Sequence, residues 1–141
     1  MKKNTSSKIS HLRYLSNNLI DRELSIRGIS DLHTSYGSIM YTLLNNEPMT
    51  MKELAIRIDR DKSTLTPLSR KLIKSGYIET VSNEEDKRSK IISLTEKGKN
   101  VKAKFDEVSQ ILNQKLWKNI SDEEAKIFDK ILNKLIKNLD I

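Results

Sequence analysis

The chain has 141 residues, with 26 Lys+Arg against 19 Asp+Glu and a net charge of +7, which suits one domain or one compact protomer of an oligomer. Leu, Ile and Val are spread along the whole length, which excludes disorder; the lack of cysteine excludes disulfides, thiolate metal sites and cysteine-based redox sensing. No apolar run approaches the ~20 residues of a membrane-crossing helix, and the basic start Met1-Lys2-Lys3 has no apolar segment behind it, so no secretory signal is expected and the cytoplasm is the expected location.

In chain order, Ile9, Leu12, Leu15, Leu19 and Ile26 form a helical series that predicts a first helix from about Ile9 to Arg27, with Gly28 as its terminator. A second helix is expected after Thr34, which can cap it, on Ile39, Met40, Leu43 and Leu44; Asn45 to Pro48 end it. Thr50 and Glu53 have the spacing of a capping box, and Met49 and Leu54 that of a hydrophobic staple, so a short third helix is predicted from Met51 to Ile58. Asp59-Arg60-Asp61 makes a turn, and Asp61 can cap a fourth helix that runs to about Lys74 and stops at Gly76. Two short helices joined by so tight a turn describe a helix-turn-helix unit.

After Gly76 the period changes. Tyr77 to Val81 and Ile91 to Leu94 alternate and are rich in strand formers, and a polar stretch from Ser82 to Lys90 lies between them. This predicts a β-hairpin with a long charged tip, placed as a wing. Thr95 can cap a fifth helix carrying Val101, Phe105, Val108, Leu112 and Leu116. Ser121 and Glu124 form another capping box, ahead of a last helix with Ile127, Phe128, Ile131, Leu132, Leu135, Ile136 and Leu139. That stripe is too wide for one face on a small core, so a second copy of the chain is expected against it. The expected fold class is therefore mainly α with a small β-hairpin wing.

The basic excess is local. Residues 50–104 carry 14 positive and 8 negative groups, whereas residues 1–49 net +2 and residues 105–141 net −1. A surface that meets phosphates needs such an excess. On a helical wheel, Leu65, Leu68, Ser69 and Leu72 of the fourth helix share one face. Ser63, Thr66, Pro67, Arg70 and Lys74 share the opposite one, with Thr64 and Lys71 on its edge, and Lys62 at the helix start is counted with the same DNA-binding set. Hydroxyls and cations arranged so suit a helix in the major groove, where they reach base edges and phosphates. Pro67 falls in the interior of that helix, where a kink or an irregular turn is expected. At the wing tip, Asp86, Lys87, Arg88, Ser89 and Lys90 offer cations to the minor groove, Arg88 foremost, and Asp86 can hold either the loop or the arginine.

The run from Leu54 to Leu72 with its Leu65-Thr66-Pro67-Leu68 segment, then Gly76-Tyr77-Ile78, then Asp86, Arg88, Leu94, Thr95 and Gly98 resemble the MarR family of bacterial transcription regulators. The helix order is similar too, so the resemblance spans essentially the whole chain. It implies a winged helix-turn-helix with N- and C-terminal dimerisation helices, in one protomer over residues 1–141. About 34–98 would bind DNA, and about 8–27 and 99–141 would form a homodimer. Such a dimer would occupy a pseudo-palindromic operator in double-stranded DNA, as a repressor. It also implies a pocket for a small-molecule effector, to which Tyr14, His33 and Tyr36 are assigned. The Leu-Thr-Pro-Leu stretch is similar to the branch that includes organic-peroxide sensors; that branch uses a cysteine in the first helix, and this chain has none.

Other classes fare worse. His11 and His33 are the only histidines, no glycine-rich phosphate loop occurs, and the carboxylates sit in caps and exposed tips. No enzyme, cofactor or metal is expected, and the last helix lacks the arginine-rich polar face of a membrane-surface helix. The alternative is a winged-helix adaptor that binds proteins without sequence-specific DNA binding. Salt-dependent binding to duplex DNA separates the two.

Overall fold

The computed structural model describes residues 4–32, 36–58 and 60–140, with seven helices and three short strands among them. Helix α1 spans Thr5–Ile26, starting one turn ahead of expectation. It closes at Gly28 as expected: the Gly28 amide donates to the Ser25 carbonyl and the Ile29 amide to the Leu24 carbonyl. Helix α2 spans Gly37–Leu44. Its expected cap, Thr34, lies outside the described residues, as does Asp59 of the turn.

Helix α3 spans Met51–Ile58 and α4 spans Lys62–Lys74, both where the caps placed them. The Asp61 carboxylate accepts the Thr64 amide at 3.0 Å, as an N-cap should. Those hydrogen bonds from Thr64 hold the Asp61 carboxyl below the usual carboxylate range. Gly76 takes φ +83° at the end of α4, a backbone that glycine alone adopts freely. Its amide and that of Tyr77 then close on the Ile73 and Leu72 carbonyls, the same arrangement as at Gly28.

The sheet departs from the expected two-stranded hairpin. Strands β2 (Ile78–Ser82) and β3 (Lys90–Leu94) do pair antiparallel, but Met49–Thr50 adds a third strand, β1, against the other edge of β3. Thr50 thus serves both the sheet, opposite Ile91, and the start of α3. The Thr50–Glu53 box is half formed. The Glu53 amide donates to the Thr50 hydroxyl, but that hydroxyl in turn donates to the Glu53 carboxylate, which does not reach the Thr50 amide. Met49, read as a staple, is a buried strand residue in the same core as Leu54.

The expected fifth helix is two. Helix α5 (Glu96–Asn100) is capped by the Thr95 hydroxyl, which accepts the Gly98 amide, and Val101 turns the chain into α6 (Lys102–Leu116). Val101 stays in the right-handed helical region and is buried, so the three- and four-residue spacing runs through the break unaltered. Helix α7 (Asp122–Leu139) begins with the complete Ser121–Glu124 capping box. One hydrophobic core holds Ile39, Met40, Leu54, Leu65, Leu72, Ile78 and Ile92 at full burial, joining α2, α3, α4 and the sheet. Helix α1 sends only Leu24 fully into it, and α7 buries no residue at all.

Candidate nucleic-acid interface

Helix α4 presents the two faces that its sequence spacing implies. Leu65, Ser69 and Leu72 are buried and Leu68 is half-buried, whereas Lys62, Ser63, Thr64, Pro67, Arg70, Lys71 and Lys74 are exposed. Thr66 is half-buried, and its hydroxyl donates to the Lys62 carbonyl at 2.8 Å, so its donor is spent within the helix. Helix α4 runs without interruption across Pro67. Proline has no N–H, so the Ser63 carbonyl loses its usual donor on the exposed face, where solvent or a ligand can supply one.

The wing tip is a closed loop. The Asp86 carboxylate accepts the Arg88 amide at 3.0 Å, and the Asp86 carbonyl accepts both the amide and the hydroxyl of Ser89. Asp86 therefore holds the loop and not the arginine side chain. Asn83 does the same from the other strand: its side chain accepts the Glu85 amide and donates to the Ser89 hydroxyl. Asn83 escaped the sequence reading, although an Asn at the start of a polar loop is a turn signal. Ser89 is committed to closing the loop, while Lys87, Arg88 and Lys90 stay exposed. Among the described residues, no cation of α4 or of the wing tip takes part in an ion pair. Both elements thus present cations outside ion pairs on outward surfaces, though at the wing tip Glu84, Glu85 and Asp86 stand beside Lys87, Arg88 and Lys90.

A cavity of about 350 Å³ lies between α1, the start of α2 and α6, and is lined by Arg13, Asn17, Ile20, Tyr41, Phe105 and Leu112 among others. Neither Tyr14 nor Tyr36, both assigned to an effector pocket, lines it. Tyr14 is 61% exposed, Tyr36 belongs to the hydrophobic core, and His33 lies outside the described residues. The reason is angular: Arg13, Asn17, Ile20 and Leu24 form one stripe of α1, and Tyr14 stands about 100° round from Arg13. Tyr41 reaches the cavity from α2 and was not singled out in the sequence. Among the described residues no group of three or more His, Asp or Glu side chains could hold a metal, and no helix is long and apolar enough to cross a membrane.

Comparison with known proteins agrees with this geometry. The MarR family model matches residues 35–90, from α2 to the start of β3. The transcriptional regulator SarZ of Staphylococcus aureus (strain MRSA252) is 33% identical over 139 residues, covering 96% of this chain and 91% of that protein. SarZ of strain USA300 is 38% identical over 104 residues, 72% of this chain and 68% of that one. Among solved structures, the Staphylococcus aureus MepR–DNA complex superposes with a TM-score of 0.86 at 22% identity, over 96% of this chain and 98% of that one. A MarR protein from Peptoclostridium difficile gives 0.85 at 24% identity, over 99% and 89%. Winged helix-turn-helix, wing loop, long outer helices and a relative similar along nearly its whole length coincide in one chain, and this chain belongs to the MarR family of DNA-binding transcriptional regulators.

Proposed function

We propose that the protein is a cytoplasmic repressor that occupies a pseudo-palindromic operator as a homodimer, reading bases with α4 and gripping the flanking minor groove with the wing. The observation that carries this is the outward face of α4. It is capped at both ends, free of ion pairs, and graded from hydroxyls at Ser63 and Thr64 to cations at Arg70, Lys71 and Lys74. Residues 34–98 form the DNA-binding part, while α1, α6 and α7 join the two protomers. Two copies of α4 then enter successive major grooves, with half-site centres about 10 base pairs apart or a multiple of that. A small effector acts from the cavity beside Arg13 and Tyr41, which sits between the α1/α6 pair and α2.

Arg70 is the point of test. As a base reader, its replacement by alanine costs about 1–3 kcal/mol on the matched operator and little on one altered at the contacted pair. As a phosphate contact it costs the same on every duplex. Truncation of Ser63, Thr64, Thr66 and Arg70 together should abolish selection of the operator over random DNA in a gel-shift competition. A folded quadruple variant that keeps the wild-type ratio overturns the assignment of α4.

A further inference from the structure

The C-terminal end of α4 is held by a charged cluster that belongs to none of the surfaces above. Asp31 lies in the connection between α1 and α2, between the buried plugs Ile29 and Leu32. Its carboxylate accepts the hydroxyl of Tyr77 at 2.6 Å, and its second oxygen stands 3.6 Å from the Lys97 ammonium. Tyr77 is buried and directly follows the glycine that ends α4. Lys97, on α5, lies 4.3 Å over the Tyr77 ring and donates to the carbonyl of Ser75, the last cap residue of α4, at 2.7 Å. A cation on a terminal carbonyl is favourable in itself. Burial and the Asp31 contact push the Tyr77 phenol well above its ordinary range, and the Tyr77 bond pulls the Asp31 carboxyl below its own.

Asp31 is tied to the α1/α6 pair as well. Four residues before it, Arg27 bonds Glu107 of α6 at 2.9 Å and Glu23 of α1 at 2.9 Å, and Lys104 of α6 donates to the Arg27 carbonyl at 3.0 Å. The connection that carries Asp31 is therefore anchored on the α1/α6 pair, while Tyr77 follows the end of α4 and Lys97, on α5 between the wing and α6, reaches the Ser75 carbonyl at the end of α4. A lone surface ion pair would count for little. This one is shared with a short hydrogen bond to a buried phenol and a helix-end carbonyl, so the three groups fix one geometry.

We infer that Asp31, Tyr77 and Lys97 are positioning residues: they fix the angle of the reading helix against the α1/α6 pair, and so fix which half-site spacing the dimer accepts. The inference rests on the reading of α4 as the base-contacting helix of a homodimer. None of the three side chains touches DNA under that reading; they act through α4.

The experiment uses the full-length dimer and duplexes recovered by selection from a random-sequence pool, with the centre then lengthened or shortened by one and two base pairs. Wild-type affinity should fall steeply away from the selected spacing. In Tyr77→Phe and Asp31→Ala the ratio between selected and shifted spacings should drop about threefold or more, because such coupling sites change coupling by amounts of that order. Asp31→Asn keeps an acceptor for the Tyr77 hydroxyl and should retain the wild-type profile. Circular dichroism checks that every variant is folded, and Tyr77→Phe keeps the ring and its packing. A merely structural role lowers affinity by one factor at every spacing. Tyr77→Phe and Asp31→Ala profiles parallel to that of the wild type, alongside a spacing-selective wild type, overturn the inference alone. A wild type that selects no duplex and no spacing overturns the reading of α4 together with it.

Discussion

Arg88 and Asp86 divide the labour of the wing tip between charge and shape. Arg88→Ala removes one cation per protomer, so operator affinity should fall on every sequence and the salt dependence should flatten by about one unit per protomer. Asp86→Ala removes no cation; it frees the Arg88 amide and loosens the loop that presents the guanidinium. Its expected signature is weaker binding with an unchanged salt slope, and Asp86→Asn should restore affinity by keeping the acceptor. Titration of binding against salt concentration separates the three variants. The sequence left open whether Asp86 holds the loop or the arginine, because a carboxylate two residues from a cation can do either. Only the placed backbone shows that the acceptor is taken by an amide.

Helices and strands were legible where a cap or a glycine marks the end, and not where a boundary depends on a distant partner. Asp61 and Ser121 each opened, and Gly28 and Gly76 each closed, a helix within a residue of expectation. The two residues of β1 are too few for a period of two to register, and they become a strand only because β3 lies alongside. The break at Val101 is silent for the opposite reason, since the apolar spacing continues through it. The cavity-lining residues of α1 were not legible, because which face of α1 turns inward is set by α6. Gly98 shows how tight the junction after the wing is: a methyl group there would overlap the carbonyl oxygen of Tyr77 and crowd Leu94. Gly98→Ala should cost about 1–3 kcal/mol, as overpacking does, and urea unfolding should show it as a lower midpoint. The caps add a pH dependence. Hydrogen bonds from Thr64 and from Ser121 hold Asp61 and Glu124 below their ordinary values of 3.8 and 4.5. A depressed carboxylate stabilises the fold fully above its unfolded-state value and loses that contribution as the pH falls through the folded one. The urea midpoint should thus hold steady down to about pH 5 and fall below the carboxylate range. The Ser121→Ala variant should show a shallower fall.

A single protomer leaves too much apolar surface in water to be the functional unit. Helix α7 exposes Ile127, Phe128, Ile131, Ile136 and Leu139, and α1 adds Ile9, Leu12 and Leu15. Exposed apolar stripes of that kind mark an interface. Leu135→Asp sets a charge in the middle of the α7 stripe, where a dimer seam would leave it unpaired. Light scattering at micromolar concentration should report a dimer for the wild type and a monomer for the variant. The one tryptophan, Trp117, packs edge-on against Phe128 of α7 at 6.0 Å between ring centres, so its emission should shift with the same transition. A folded wild-type monomer at that concentration would refute the dimer. The third strand bears on the DNA in another way. Because β1 joins the entry of the helix-turn-helix to the middle strand of the wing, the helix-turn-helix and the wing are built on one sheet. Each protomer is then a ruler of constant length laid along its half-site. If α4 and the wing contact DNA as proposed, a base pair inserted between the helix contacts and the wing contacts finds no joint to absorb it and should sharply weaken binding to that half-site. The spacing across the dyad is a separate quantity, set by how α4 is angled against the α1/α6 pair.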